Sequence, residues 1–364
     1  MFARLPHKAV RSVSQHDSTG CLIFQVFPQP RSLTYTHSFP YPDTDPEAHA
    51  NFFSAAYTLL WDSTPIGYIL EPIFNRLAKV PISIKGELEV SRKNRTVSVF
   101  QFPTEEERSK AAAGTAAYWR ENKTFEVLDG WRDELYPVYG PGNELLYAVE
   151  RSAASLFGIM CYGVHMTCYV SDPTASYGMK IWVPRRAATK STYAGMLDNT
   201  VAGGIAARED PFEGLVREAE EEASLPEELV RRATTAEGSI TYMHVRDDKA
   251  GGEVGLVQPE CQWVYDLELP VDVVPKPNDS EVQVCLYLRH MGIPDPYPQA
   301  FYLWTIEEVQ EHMAKGEFKP NCALLILDFF IRHGILTPNN EKDFDEIKRR
   351  IHRDIELPGP HREQ

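Results

Sequence analysis

No CxxC pair occurs among the six cysteines, Cys21, Cys161, Cys168, Cys261, Cys285 and Cys322. That spacing excludes the usual zinc-finger and disulfide-framework patterns and fits a reducing compartment. Positive charge is also scarce: 37 Lys and Arg stand against 52 Asp and Glu, a formal net charge of −15. Nucleic acid and anionic membrane both select basic surface, so neither is an expected partner. The longest apolar run, Cys322 to Ile331, is interrupted by Asp328 and falls short of the roughly 20 residues that span a bilayer. Internal repeats and low-complexity tracts are missing as well, and no pattern specifies an oligomeric state.

What is present suits two globular units of mixed α/β (α+β) class, because 364 residues exceed one typical domain. Residues 1–44 form an N-terminal extension whose first sixteen residues carry Arg4, Lys8 and Arg11 and no acid. That bias matches a mitochondrial presequence and stands as the alternative to a cytoplasmic location. Residues 45–158 are expected to form a smaller α+β domain. It would have a helix over Asn51–Leu60, a strand over 83–92, an acid-started helix over 104–121 and a further helix from Asn143. Residues 159–336 change to strands at 162–170 and 179–186, joined as a hairpin, then 239–246, 261–269 and one from Val282. Helices follow at 305–317 and at 321–334, the latter ending on Gly334 as its C′ residue. Residues 337–364 are expected to be a charged tail, a short surface helix or disordered.

One stretch is chemically unusual. Residues 203–225 read GGIAAREDPFEGLVREAEEEASL, crowding Glu218, Glu220, Glu221 and Glu222 onto one helix beside a single cation, Arg217. Like charges three or four residues apart cost a helix roughly 0.2–0.5 kcal/mol per pair, so a compensating charge is expected. Glu218 and Glu222 lie one turn apart on the same face with Glu221 beside them, an arrangement of carboxylates suited to Mg²⁺, with Mn²⁺ as an alternative. A cation there would bridge the helix to a diphosphate. Gly203 and Gly204 leave the preceding backbone open to close approach. A merely solvated acidic helix is the bland alternative.

The spacing resembles the Nudix box, G-x5-E-x7-R-E-U-x-E-E-x-G-U, and matches it at seven of nine defined positions. Ala219 stands where a bulky apolar residue belongs and Ser224 where the closing glycine does. The resemblance implies a C-terminal Nudix α/β/α sandwich with a mixed sheet. In it Glu218, Glu221 and Glu222 would be metal ligands, Glu221, Glu222 and Arg217 catalytic, and Arg217 paired with Glu209. Glu260 and Glu281 are candidates for a base or ligand outside the box, with surface solvation as the simpler role for each. A Nudix domain that binds without cutting is the competing class.

A narrower resemblance rests on ELYPVYGPGNELLYAVERSAASLFG, IWVPRRAATKSTYAGMLDNTVAGGI, VQPECQWVYDLELP and FKPNCALLILDFFIRHGILTPNNE. These are similar to the Nudix subfamily related to the thiamine pyrophosphokinase fusion proteins of yeasts, which has plant counterparts. It implies hydrolysis of thiamine diphosphate or its oxidised forms to the monophosphate, with an 8-oxo-dGDP type of nucleoside diphosphate as the alternative. Synthesis of thiamine diphosphate is not expected, since about 30 residues follow Gly334.

Arg185, Arg186 and Lys190, after a strand and before the box, are candidates to meet substrate phosphates or to form a solvated turn. Trp182, Tyr193 and Trp263 are candidates to stack on a ring, with core packing as the default. His165 is expected to be a satisfied sheet histidine, and Lys319 and Asn321 to cap the helix that follows them. The segment Val284–Gln299 interrupts the family-like pattern. Val284-Cys285 is encodable as a fungal splice donor, so a retained intron and a genuine Pro-rich loop are both open.

Overall fold

The computed structural model describes residues 39–278 and 301–363. Glu281, the strand expected from Val282, the Val284–Gln299 segment and the basic N-terminus lie outside them. The four described cysteines, Cys161, Cys168, Cys261 and Cys322, are buried free thiols.

Helix α1 (Pro46–Ala55) begins where Asp45 accepts a hydrogen bond from the Ala48 N–H and Pro occupies the first turn. It stops sooner than the expected Asn51–Leu60 helix, because residues from Ala56 enter strand β1 (Ala56–Trp61). Tyr57 and Leu59 are fully buried at a spacing of two, and β1 pairs antiparallel with β2 (Thr64–Leu70). Sheet pairing there overrides local helix preference. Helices α2 (Glu71–Leu77) and α3 (Ile82–Lys85) follow, then β3 (Glu89–Ser91) and β4 (Thr96–Ser98), giving a sheet ordered β2-β1-β4-β3. The strand expected over 83–92 is thus only β3; its first residues form α3, which Gly86 ends at φ 77.

Helix α4 (Glu105–Glu121) carries the Thr104–Glu107 capping box. The helix expected from Asn143 is instead a hairpin, β5 (Leu135–Tyr139) with β6 (Leu145–Glu150). Gly142 and Asn143 both adopt positive φ in its turn, a conformation that a right-handed helix cannot continue. A 3-10 turn (Arg151–Ala153) leads into the short helix α5 (Ala154–Phe157), which Gly158 terminates.

The second half is a mixed six-stranded sheet with helices on both faces. Its strands are β7 (Cys161–Ser171), β8 (Met179–Pro184), β9 (Val201–Gly204), β10 (Thr234–Val245), β11 (Val257–Glu268) and β12 (Phe301–Thr305). The order is β10-β11-β7-β8-β12 with β9 also on β7; β11 and β7 are parallel and the other pairs antiparallel. Helices α6 (Pro211–Ala223) and α7 (Glu227–Ala233) cover one face, packing Leu215, Ala219 and Val230 on Val164 and Met166. On the other, α8 (Ile306–Ala314) and α9 (Pro320–Arg332) pack Val309, Phe329 and Phe330 with Ile181 and Val183. Among the described residues no helix is long and apolar enough to cross a membrane.

The C-terminal residues are not a loose charged tail. Helix α10 (Phe344–Ile351) buries Ile347 and Ile351, and the chain beyond it buries Ile355 and Leu357. Lys348 and Arg349 stay exposed on its outer side, while Arg350 is buried beside the apolar side that closes the core. Arg353 donates to Asp43 at 2.7 Å, and the Met243 N–H donates to the Tyr41 hydroxyl. Tyr41 and the segment after α10 therefore both pack on the second half.

Candidate active site

The acidic stretch folds as edge strand β9, a loop and α6. Asp210 caps α6 by accepting from the Phe212 and Glu213 N–H groups, with Pro211 in the first helical position. The helix ends in a Schellman arrangement in which the Leu225 N–H reaches the Ala219 carbonyl and the Ser224 N–H that of Glu220. Ser224 sits there at φ 52, ψ 34, a left-handed conformation that costs a non-glycine residue about 1 kcal/mol.

Two of the glutamates are fixed by β9. Glu222, 7% exposed, accepts the outward Ala202 N–H at 2.8 Å, satisfying a donor on the open edge of the sheet. Glu218 lies across Gly203; a Cβ at that glycine would come within 2.1 Å of the Glu218 carboxyl carbon. Glu221 differs, with its side chain 51% exposed and turned to Arg217. The Arg217 guanidinium donates to Glu209 at 3.0 Å, Glu218 at 2.8 Å and Glu221 at 3.1 Å, and Glu209 also accepts the Ala206 N–H. The crowded acids are therefore partly offset by one arginine. The oxygen-only donors of Glu218 and Glu222, beside the space that Gly203 leaves, fit a hard divalent cation. Glu221 joins that set only by leaving Arg217.

Among the described residues the one group of three metal-type ligands within 4.8 Å of each other is His165, Asp198 and Cys322, rather than the box glutamates. It behaves as a buried hydrogen-bonded cluster. The His165 ring bonds Asn199 at 2.9 Å, and Cys322 donates to Asp198 at 2.6 Å. Burial, with help from nearby Lys319, lowers the His165 pKa to about 4, and burial pushes the Cys322 thiol well up. Burial opposes ionisation of Asp198, yet Arg186 at 2.6 Å, with Lys319, holds it below the usual carboxylate range.

Behind the box, on the sheet face opposite α6, lies a cavity of about 440 Å³. Glu260 on β11 is in its wall, 7% exposed, accepting from Tyr242, Gln258 and Gln262. It is a buried, organised carboxylate, and the solvated surface role weighed for it does not hold. Arg246, Lys319 and Tyr193 also line this space from the second half, and Arg132, Arg151 and Tyr136 from the first. Burial lowers the Arg246 pKa, and its Nε has no hydrogen-bond partner among the described residues. The Arg151 guanidinium, bonded to Glu134 at 2.8 Å, has its pKa raised by neighbouring Tyr136 and, further down, by Glu134 and Glu218. Arg151 thus stands at the border between box and cavity.

The arginines after β8 point elsewhere. Arg186 is committed to Asp198 and the Thr192 carbonyl, and Arg185 to the Gly195 carbonyl and Glu317. Lys190 precedes the Ser191–Tyr193 segment that lines the cavity. Of the three candidate ring-stackers only Tyr193 reaches it; Trp182 is in the core and Trp263 stacks on Tyr162. Lys319 is the residue before α9 but makes no side-chain cap. Arg132, Arg151 and Arg246 were not singled out from the sequence. The alternation Tyr242-His244 along β10, carried one residue past its end to Arg246, was the available signal for the last of them.

Residues 162–296 match the NUDIX domain model and residues 59–161 a domain of unknown function, DUF4743. The chain is 34% identical over 320 residues to the uncharacterized protein YJR142W of Saccharomyces cerevisiae, covering 86% of this chain and 88% of that one. It is 36% identical over 231 residues to the chloroplastic Nudix hydrolase 20 of Arabidopsis thaliana, covering 63% of this chain and 54% of the plant protein. It therefore spans about half the length of that relative. Among solved structures, DR0079 from Deinococcus radiodurans aligns at 18% identity with a TM-score of 0.36, over 53% of this chain and 97% of that one. The chain carries a NUDIX domain preceded by DUF4743, and is similar to plant Nudix hydrolases. The reaction class of these hydrolases is cleavage of phosphoric anhydrides.

Proposed function

We propose that this protein is a Mg²⁺-dependent diphosphatase that cleaves a small organic diphosphate to its monophosphate by attack of water at phosphorus. The observation that carries the reading is the placement of Glu218 and Glu222. One is set over Gly203 and the other is anchored on the Ala202 N–H, so two carboxylates are presented at the edge of β9. When bound there, the cation would polarise phosphate oxygens and lower the pKa of a water. Glu218 and Glu222 would hold it, with Glu221 as a third ligand on release from Arg217. Arg217 positions Glu218 through its 2.8 Å bond and ties the helix to Glu209. Glu260 is buried on the cavity side, its carboxyl held by Tyr242, Gln258 and Gln262.

Thiamine diphosphate and its oxidised forms are the first substrates, on the strength of the flanking segments, and an oxidised guanine nucleoside diphosphate is the second. Both are small heterocyclic diphosphates, a size that suits a cavity of about 440 Å³, near the lower end of the roughly 300–1,000 Å³ typical of ligand pockets. The test is monophosphate and phosphate release from both substrates with Mg²⁺, comparing wild type with Glu222→Gln. Release by wild type and its loss in the variant support the reading; equal release by the two defeats the assignment of catalysis to the box glutamates, and none by wild type overturns the reading in favour of a binding domain.

A further inference from the structure

We propose that the DUF4743 domain is one wall of the substrate site, and that its Arg132 and Arg151 join Arg246 and Lys319 of the Nudix domain in clamping the diphosphate. The proposal rests on the diphosphate reading above and assigns recognition to a domain for which the Nudix box supplies no role.

Three observations carry it. First, the cavity beside the box is shared: Arg132 and Arg151 come from the first domain, and Tyr193, Arg246, Glu260 and Lys319 from the second. In a chain of net charge −15, four cations brought to one space of about 440 Å³ are a local reversal of sign. The acids on the same wall are the buried Glu260 and the exposed Glu126 and Asp129. Such cations match phosphate oxygens through charge-assisted hydrogen bonds.

Second, the wall is docked firmly. Glu253, after β10, accepts the backbone N–H groups of Glu126 at 2.6 Å and Val127 at 3.0 Å. Gly252 packs so closely there that a Cβ would lie 2.6 Å from the Val127 Cα. The Ala207 N–H in the box loop donates to the Leu135 carbonyl at 2.7 Å, and the Tyr136 hydroxyl occupies the space over Gly204. The first domain thus touches the box itself, and Arg151 comes under the charge of Glu218. An anion held between Arg151 and the box would be positioned for the chemistry assigned to Glu218.

Third, Tyr193 is held in the cavity wall at φ 50, a region that bulky residues rarely adopt. Its N–H bonds the Lys249 carbonyl at 2.8 Å and its hydroxyl meets the His244 ring at 2.9 Å. Neighbouring Ser191 accepts from Arg132 at 3.3 Å across the domain junction.

The experiment uses the full chain and two readouts. Binding of a methylene-bridged, non-hydrolysable diphosphate analogue of each candidate substrate is measured by calorimetry with Mg²⁺, for wild type, Arg132→Ala, Arg132→Lys and the distant charge control Lys79→Ala. In parallel, KM and kcat are measured on the substrates. Loss of one charged contact predicts weaker binding by about 10- to 100-fold in Arg132→Ala. KM should rise with kcat nearly unchanged, with partial recovery in Arg132→Lys and no effect in Lys79→Ala. Equal affinity in wild type and Arg132→Ala overturns the proposal, as does failure of the wild type to bind any analogue. The two readings fail separately. If Glu222→Gln abolishes turnover while Arg132→Ala binds normally, the hydrolase stands and the clamp falls. If Arg132→Ala weakens binding while Glu222→Gln turns over like wild type, the reverse holds.

Discussion

Two charged surfaces meet at Arg151. On one side, a single stretch of chain from Gly203 to Leu225 concentrates carboxylates and neutralises them partly with Arg217. On the other, Arg132, Arg151, Arg246 and Lys319 converge on the cavity from four separate places in the chain. The acidic surface is local because adjacent turns of one helix can present carboxylates together. The basic surface has no local basis and exists only because β10, the start of α9 and the first domain are brought side by side. On the proposed reading, reaction chemistry and recognition are thereby built by different means in one site.

The sharpest way to break this comparison is Glu222→Gln, which leaves the cavity untouched. Turnover should fall by about 10³-fold, as when a group acting on reacting charge is removed, with analogue binding far less affected; a steady-state assay beside calorimetry checks both. Gly203→Ala strikes the acidic surface without removing a charge. Its Cβ would overlap the Glu218 carboxyl at 2.1 Å, so we expect a loss of activity of about 10- to 100-fold, the scale of misoriented metal ligands. Circular dichroism should stay native; wild-type kcat in this variant would remove Glu218 from the site.

Stability should respond to pH through His165, on the cavity side of the sheet. Its folded pKa of about 4 lies below the ordinary 6.5, so the unfolded chain takes up the proton first. The neutral ring contributes fully above pH 6.5, and the contribution declines as pH falls from 6.5 to 4. At 1.36 kcal/mol per pH unit the gap amounts to about 3 kcal/mol. Urea unfolding between pH 7.5 and 4 should show this slope in wild type and a shallower one in His165→Gln; parallel curves would refute it. The smallest effect belongs to the box terminus. Ser224→Gly relieves the left-handed conformation at φ 52 and should raise stability by up to about 1 kcal/mol in the same assay, with activity unchanged.

Much of the second domain was legible because its strands and helices have clear periods. The hairpin from β7 to β8 and the buried helix α9 with Gly334 after it follow from alternation, apolar content and a terminal glycine. The first domain was less so: the runs read as helices from Asn51 to Leu60 and from Asn143 include strands β1 and β6, where short apolar runs have no decisive period. At the site, Arg186 looked like a phosphate ligand only because its partner Asp198 is twelve residues away in sequence. Glu260 looked like a surface acid because the donors that bury it, Tyr242 and Gln262, meet it only in the folded sheet.

By itself the sequence determined the family pattern and the carboxylates of α6, since residues at helical spacing share a face in any fold that keeps the helix. Tertiary structure alone decided that Glu260 is buried and that the first domain brings Arg132 and Arg151 to the cavity beside Arg246 and Lys319. Those outcomes depend on strand register and domain docking, which bring together charges that no spacing along the chain relates.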